Sequence, residues 1–330
     1  MVVDSASCAE LTTVAKFPVN YFLENLAVRH DNSLLVTVLN HRSLWYVVTA
    51  RKAENEQPIR LCTFEQAAMG IVELQRDIFV IATSNLWTDH RSCLHRLDLR
   101  TWVSGEPVDI RQIFEFPNSA RGLNGACVLA PNVMLVADSF AGLVWRVDLN
   151  GDATEALARI WLRHDSMASR PDGPMPDQPG INGIAYAATS HHVYYTSTAQ
   201  QLLMRVAVDP ETNEPVAEPE FIADGMMGDD LCVDEDGGVA YVATHRQNTI
   251  DRVVLAPGRP GQPRESVAGE PFDEMLLGPT TGRWARGPGQ SGRVAFFLTD
   301  GGIKGPMPDG SLREASVLQV RFPPVSTPRG

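Results

Sequence analysis

Four short stretches repeat one pattern along the 330 residues. Residues 23–28 read LENLAV, 123–128 LNGACV, 181–186 INGIAY and 228–233 GDDLCV. Each sets a carboxylate or carboxamide just ahead of an apolar β-type run, which is followed by turn residues and a second such run. Recurrence at roughly 50 residues marks an array or propeller rather than an ordinary α/β enzyme. It also brings Glu24, Asn124, Asn182 and Asp229 to one structural position. Four oxygen-bearing side chains converging on an axis would make a site.

The unit can be followed further. After Asn124 comes GACVLAPNVMLVADSFAGLVWRVDL, with a Pro-Asn turn, and after Asp229 comes DLCVDEDGGVAYVATHRQNTIDRVVL, with an Asp-Gly-Gly turn. Short β-branched and aromatic runs bounded by such turns are strands in meander order. Residues 70–99 repeat the three-strand shape without the leading acid. Residues 277–300 and 312–322 supply another unit, broken by a Gly/Pro-rich loop. The expected fold is therefore all-β: a six-bladed β-propeller of mainly four-stranded antiparallel blades. Blades start near Glu24, Gly70, Asn124, Asn182, Asp229 and Pro279. Residues 1–330 form one domain, with a short N-terminal arm at 1–16. Residues 163–180, rich in Pro and Gly, read as a long loop, either a lid over one face or a plain surface loop.

Composition limits the partners. A formal net charge of −12 repels nucleic acid and anionic membrane surfaces. No run approaches the ~20 apolar residues of a membrane span. The five cysteines are scattered and form no CxxC pair, and Cys127 and Cys232 sit inside apolar runs. They read as reduced, and the first twenty residues hold no signal-like apolar stretch, so a cytoplasmic location is expected. Small apolar or aromatic molecules are the expected partners. Nothing in the sequence sets the oligomeric state.

In a propeller the first strand of each blade lines the central channel. Residues at the start of that strand face the axis at one end, where the loops between second and third strands also open. Those loops hold Trp87, Phe140 and His245. Two carboxylates and two carboxamides suit a hard cation, and calcium best, because it accepts oxygen donors in irregular geometry. Zinc would want His or Cys. Asp230 adjoins Asp229, and strand alternation predicts that only Asp229 reaches the axis. A lone Asn or Asp at a strand start ordinarily caps a turn; four in register, with three different side chains, favour a site. Ser139 lacks a G-x-S-x-G context, and no phosphate-cradling Gly loop opens a helix, so no organic cofactor is implied. Further wall candidates are Tyr21, Trp45, Met69, Met227 and Thr281.

These motifs resemble the senescence-marker-protein-30/gluconolactonase group. The resemblance rests on FLENLAVR, LNG, INGIA, GDDLCVD and ATHRQNT, and spans residues 17–322. It implies a six-bladed propeller with one divalent cation on the axis, held by Glu24, Asn182 and Asp229, with Asn124 touching substrate or metal-bound water. The chain departs from the family in reading Gly228-Asp229-Asp230 where Pro-Asp-Gly is typical. ENLAVR, DDL and LGPT look more like a fungal secondary-metabolism subgroup that includes tropolonic sesquiterpenoid hetero-Diels–Alderases. That closer resemblance implies a cyclase joining a tropolone o-quinone methide to a humulene-type alkene to form a dihydropyran. His245, Asn248 and Arg29 would then donate to the tropolone oxygens. Calcium-dependent lactone hydrolysis is the alternative, and a non-catalytic interaction propeller a third.

Overall fold

The computed structural model describes residues 8–49, 57–256 and 258–324; residues 1–7 of the expected arm lie outside that range. Twenty-four strands occur among the described residues: β1 (Glu10–Val19), β2 (Leu23–Val28), β3 (Leu34–Val38), β4 (Ser43–Val47), β5 (Ile59–Thr63), β6 (Ala67–Gln75), β7 (Ile78–Ser84), β8 (Ser92–Asp98), β9 (Asp109–Glu115), β10 (Leu123–Ala130), β11 (Val133–Asp138), β12 (Leu143–Leu149), β13 (Ala156–Arg163), β14 (Ile181–Ala187), β15 (His192–Ser197), β16 (Leu202–Ala207), β17 (Glu220–Asp224), β18 (Gly228–Asp234), β19 (Val239–Thr244), β20 (Thr249–Val254), β21 (Arg264–Ala268), β22 (Pro279–Trp284), β23 (Val294–Thr299) and β24 (Glu314–Arg321). A single 3₁₀ turn at Asp165–Met167 is the one helical element among them, and no helix there is long and apolar enough to cross a membrane.

The strands form six four-stranded antiparallel sheets, the blades of a propeller. Five are consecutive meanders beginning at β2, β6, β10, β14 and β18. The sixth runs β22–β23–β24 and takes β1 as its outer strand, in register from Glu10↔Arg321 to Val19↔Glu314. Residues 10–16, expected to lie in an arm, therefore close the ring. Joining β1 to β24 ties the two ends of the ring together within one blade, with β1 as that sheet's outer edge strand. Side chains interleave between neighbouring blades, with Phe79, Tyr195, Tyr241, Phe296 and Phe297 completely buried. Burying each such side chain contributes roughly 2 kcal/mol.

All six inner strands carry a register shift at the same level. Three residues oppose two, as in Leu123 to Ala126 against Asp138 to Val136, Ile181 to Ile184 against Ser197 to Tyr195, and Gly228 to Leu231 against Thr244 to Val242. The same step falls at Ala68/Ile71 and Pro279/Gly282, and a two-against-one version at Leu23/Asn25. A β-bulge breaks the two-residue alternation and re-aims side chains locally. Two consecutive residues per blade can thus face the channel. The upper ring is Glu24, Met69, Asn124, Asn182, Asp229 and Thr280; the lower is Asn25, Gly70, Gly125, Gly183, Asp230 and Thr281.

The bulge corrects the expectation for Asp230. Its Oδ2 accepts from Asn25 Nδ2 (2.6 Å), Thr281 Oγ1 (2.8 Å) and Arg283 Nη2 (3.2 Å), on two other blades. A Cβ placed on Gly125 or Gly183 would lie 2.9 or 2.4 Å from its Oδ1. A side chain touching the inner strands of four other blades stands on the axis. Asp230 plugs the channel one layer below Asp229, and the two glycines supply the room.

Candidate active site

Above that plug the channel opens into a cleft of about 630 Å³. Its floor is Glu24, Asn124, Asn182 and Asp229, and its wall includes Phe22, Leu39, Met69, Leu86, Trp87 and Phe140. His245 borders it, and Pro176 to Pro179 of the long loop overhang it. The loop is pinned there: Gly180 N donates to Ser139 O (3.0 Å), and Ala199 N donates to Pro179 O (2.8 Å). Tyr195 Oη, buried, bonds Ser166 Oγ (2.7 Å) and anchors its start. A smaller opening, about 310 Å³, lies at the other end of the channel beside Cys127, Cys232 and Arg283. Burial pushes the Cys127 thiol up to about 12 and the Cys232 thiol higher, which leaves both unreactive.

The floor amides have one orientation available. Ser139 Oγ gives its proton to Ile181 O (2.7 Å), and Thr198 Oγ1 gives its proton to Gly228 O (2.6 Å). Each hydroxyl has only lone pairs left, so Asn124 Nδ2 donates to Ser139 Oγ (3.1 Å) and Asn182 Nδ2 to Thr198 Oγ1 (3.0 Å). Both amide oxygens are thereby turned away from these hydroxyls, and Asn182 Oδ1 is buried with no hydrogen-bond partner. An orphaned buried acceptor costs about 1–3 kcal/mol, and a cation or an ordered water in the cleft would relieve that cost. Asp138, fully buried, sets the approach to β10 by accepting from Gly122 N (3.0 Å) and Trp145 Nε1 (3.0 Å).

The acids are crowded. Burial first, then Asp230 and Asp300, push the Glu24 carboxyl up to about 8. Burial, then Glu24, Asp230 and Asp300, hold the Asp229 carboxyl well above its ordinary range, opposed by a hydrogen bond from Asn182. Such a group either keeps its proton or gains a cation. Among the described residues no three His, Cys, Asp or Glu side chains are arranged to hold a metal. Glu24 and Asp229 need the oxygens of Asn182 and Asn124 to complete a set, and amide-assisted oxygen ligation is what calcium accepts. The residues present fit a hard divalent cation.

Beside the floor, His245 Nε2 lies 3.0 Å from Asp300 Oδ2. Asp300 is fully buried and also accepts from Gly302 N (2.7 Å). The sequence assigns no site role to Asp300, Phe22, Leu39 or Leu86.

Six expected site residues stand elsewhere. Arg29 lies five residues beyond Glu24, about 16 Å along a strand, and bonds Asp77 through Nε (2.8 Å) at the other end of the blade. Asn248 takes the left-handed turn position (φ 59) and braces two loops, donating to Pro271 O (2.7 Å) and accepting from Gly278 N (2.9 Å). Tyr21 stacks on His41, and Trp45 packs edge-on against Phe17, because a third strand stands too far from the axis to reach it. Met227 lies outside the cleft, its N–H bonded to Gln247 Oε1 (2.8 Å). Thr281 sits in the lower ring on Asp230. Met69, Trp87 and Phe140 do line the cleft.

No family model matches the chain, and no curated protein sequence matches it. Solved structures do. A luciferin-regenerating enzyme shares 14% identity over 95% of each chain, with a TM-score of 0.67. A calcium-binding regucalcin from Agrobacterium tumefaciens shares 16% identity over 95% of this chain and 97% of its own, with a TM-score of 0.63. A gluconolactonase from Xanthomonas campestris shares 12% identity over 97% of this chain and 92% of its own, also at 0.63. The fold is that of the gluconolactonase-like six-bladed propellers. This likeness lends no support to the hetero-Diels–Alderase subgroup.

Proposed function

We propose that the chain is a small-molecule hydrolase that opens an apolar or aromatic lactone, or a related ring ester, on a floor holding one divalent cation. One observation carries this reading: the Asn182 amide is held by Thr198 with its oxygen orphaned, on a cleft floor it shares with two buried carboxylates that make no salt bridge among the described residues. Glu24, Asn182 and Asp229 would hold the cation, with Asn124 beside it. A bound cation would polarise the ester carbonyl and acidify a water. The chain's own residues do the rest. The aromatic and aliphatic wall seats the ring body and excludes water. His245, fixed by Asp300, stands on the cleft wall to take a proton from the attacking water or return one to the leaving alkoxide. Fold likeness to a gluconolactonase and to a calcium-binding regucalcin supports the class but does not assign the activity. The test is a panel of aldonolactones and aromatic lactones, with acid release followed with and without chelator; turnover that ignores the chelator would contradict it.

A second reading keeps one specific observation on its side. The wall is mostly hydrocarbon and aromatic, which suits holding two apolar partners in a near-attack pose. A hetero-Diels–Alder cyclase forming a dihydropyran fits that wall, with His245 donating to the oxygen that gains charge. An unchanged product ratio and stereochemistry when a quinone methide and a humulene-type alkene react with the protein present would rule it out.

A further inference from the structure

The cleft carries acids at its floor and bases at its mouth. At the floor stand Glu24 and Asp229, with Asp230 beneath. At the mouth stand Arg121 ahead of β10, Arg246 between β19 and β20, and Lys304 between β23 and β24, all three exposed. Three different blades supply them. None makes a salt bridge among the described residues, although most arginines of this acidic chain do, including Arg91, Arg96, Arg146 and Arg205. The acids outnumber the bases 40 to 28, so acidic partners are plentiful and these three cations do without them. Asp177, on the overhanging loop, also lines the cleft. Lys304 Nζ stands 5.6 Å over the Trp87 ring, so the cationic rim and the aromatic wall are one continuous surface.

We infer that the cleft selects an amphiphilic anion: an apolar ring body carrying a carboxylate, phenolate or sulfonate, held with its charge outward on Arg121, Arg246 and Lys304. The inference deepens the proposed function and rests on the same cleft being the substrate site. The physics is simple. Turned outward, an anionic end group meets three cations that make no salt bridge among the described residues, and it leaves the floor to the cation and the reacting end of the ring. A field of this shape raises the local concentration of anions and orients them as they enter. The ring then lies on the hydrocarbon wall with its far end at the floor.

A matched probe pair tests this without requiring turnover. Anilinonaphthalene sulfonate and N-phenyl-1-naphthylamine share one aromatic body and differ by the sulfonate. In fluorescence titrations the native protein should bind the anion more tightly, by about tenfold. The triple substitution Arg121→Gln, Arg246→Gln, Lys304→Gln should remove that preference and leave the neutral probe unchanged. Trp87→Ala should weaken both probes. Added salt should erode the anion preference, because the rim is exposed. The titrations are run in chelator, so that no floor cation competes for the anionic group. Equal affinity for the two probes, or a preference that survives the triple substitution, would overturn the inference. So would a Trp87→Ala variant that binds both probes normally. Because the readout is binding, a chain that hydrolyses no lactone can still pass, and one that does can still fail.

Discussion

Nε2 of His245 and Oδ2 of Asp300 are 3.0 Å apart across two blades, and the acid of the pair is completely buried. Asp300→Asn keeps the shape of this contact but puts an N–H where the carboxylate accepted one, which favours the other imidazole tautomer. A general acid–base group contributes about 10²- to 10⁴-fold, so kcat on a responsive lactone should fall by about 10²-fold with KM little changed. His245→Gln should cost a similar factor, and the double variant little more than either alone, because the two act as a unit. Steady-state kinetics on the four proteins checks this; losses that multiply would separate the two residues.

The crowded acids predict an unusual pH dependence. The Glu24 carboxyl is raised from 4.5 to about 8, and that of Asp229 is raised too. The folded chain then holds protons that the unfolded chain has released, so stability is greatest below the unfolded value and is lost as pH rises through the folded one. The slope is at most about 1.4 kcal/mol per pH unit per proton. In chelator, thermal midpoints should fall between about pH 5 and pH 8. Added calcium should flatten that decline, because the cation replaces the protons. A midpoint that rises over this window in chelator would contradict the account.

Thr198 orients one proposed cation ligand, the Asn182 amide, which donates to its hydroxyl. Thr198→Val keeps the shape and frees that amide to rotate. Loss of a group that orients a ligand typically costs 10- to 100-fold in metal affinity, and calcium binding should weaken by about that factor while the circular dichroism spectrum stays unchanged. Affinity equal to the native protein's would mean that the amide is held some other way.

Glycine at 183 is a spacing device. A Cβ there would stand 2.4 Å from Asp230 Oδ1 and 2.6 Å from Asp229 O. Gly183→Ala should cost about 1–3 kcal/mol by overpacking and should blunt the calcium response, because both aspartates must shift. Gly151→Ala, with nothing within 4 Å of the new carbon, is the neutral control. Denaturant unfolding of both variants measures the difference.

The four echoes in the sequence mark the starts of β2, β10, β14 and β18, because an acid or amide before an apolar run is a strong local signal. The corresponding positions in the other two blades hold Met69 and Thr280, which give no such signal and emerge only from strand pairing. Asp230 was misread because alternation assumes an unbroken strand, and a bulge leaves no mark in residue type. Arg29, Asn248 and Met227 were misplaced for a related reason: loop residues face where the backbone turns, and that depends on partners such as Asp77, Pro271 and Gln247 far along the chain. Asp300 was passed over because its value comes from His245, 55 residues away.

The central claim is that Glu24, Asn182 and Asp229 form the floor of a cation site. Calorimetric titration of calcium into chelator-stripped protein tests it most directly, with Glu24→Gln and Asp229→Asn run beside the native chain. One calcium per chain, lost in both variants while their folds persist, is the result this account predicts. No binding by the native chain, or binding that either variant retains unchanged, would contradict it.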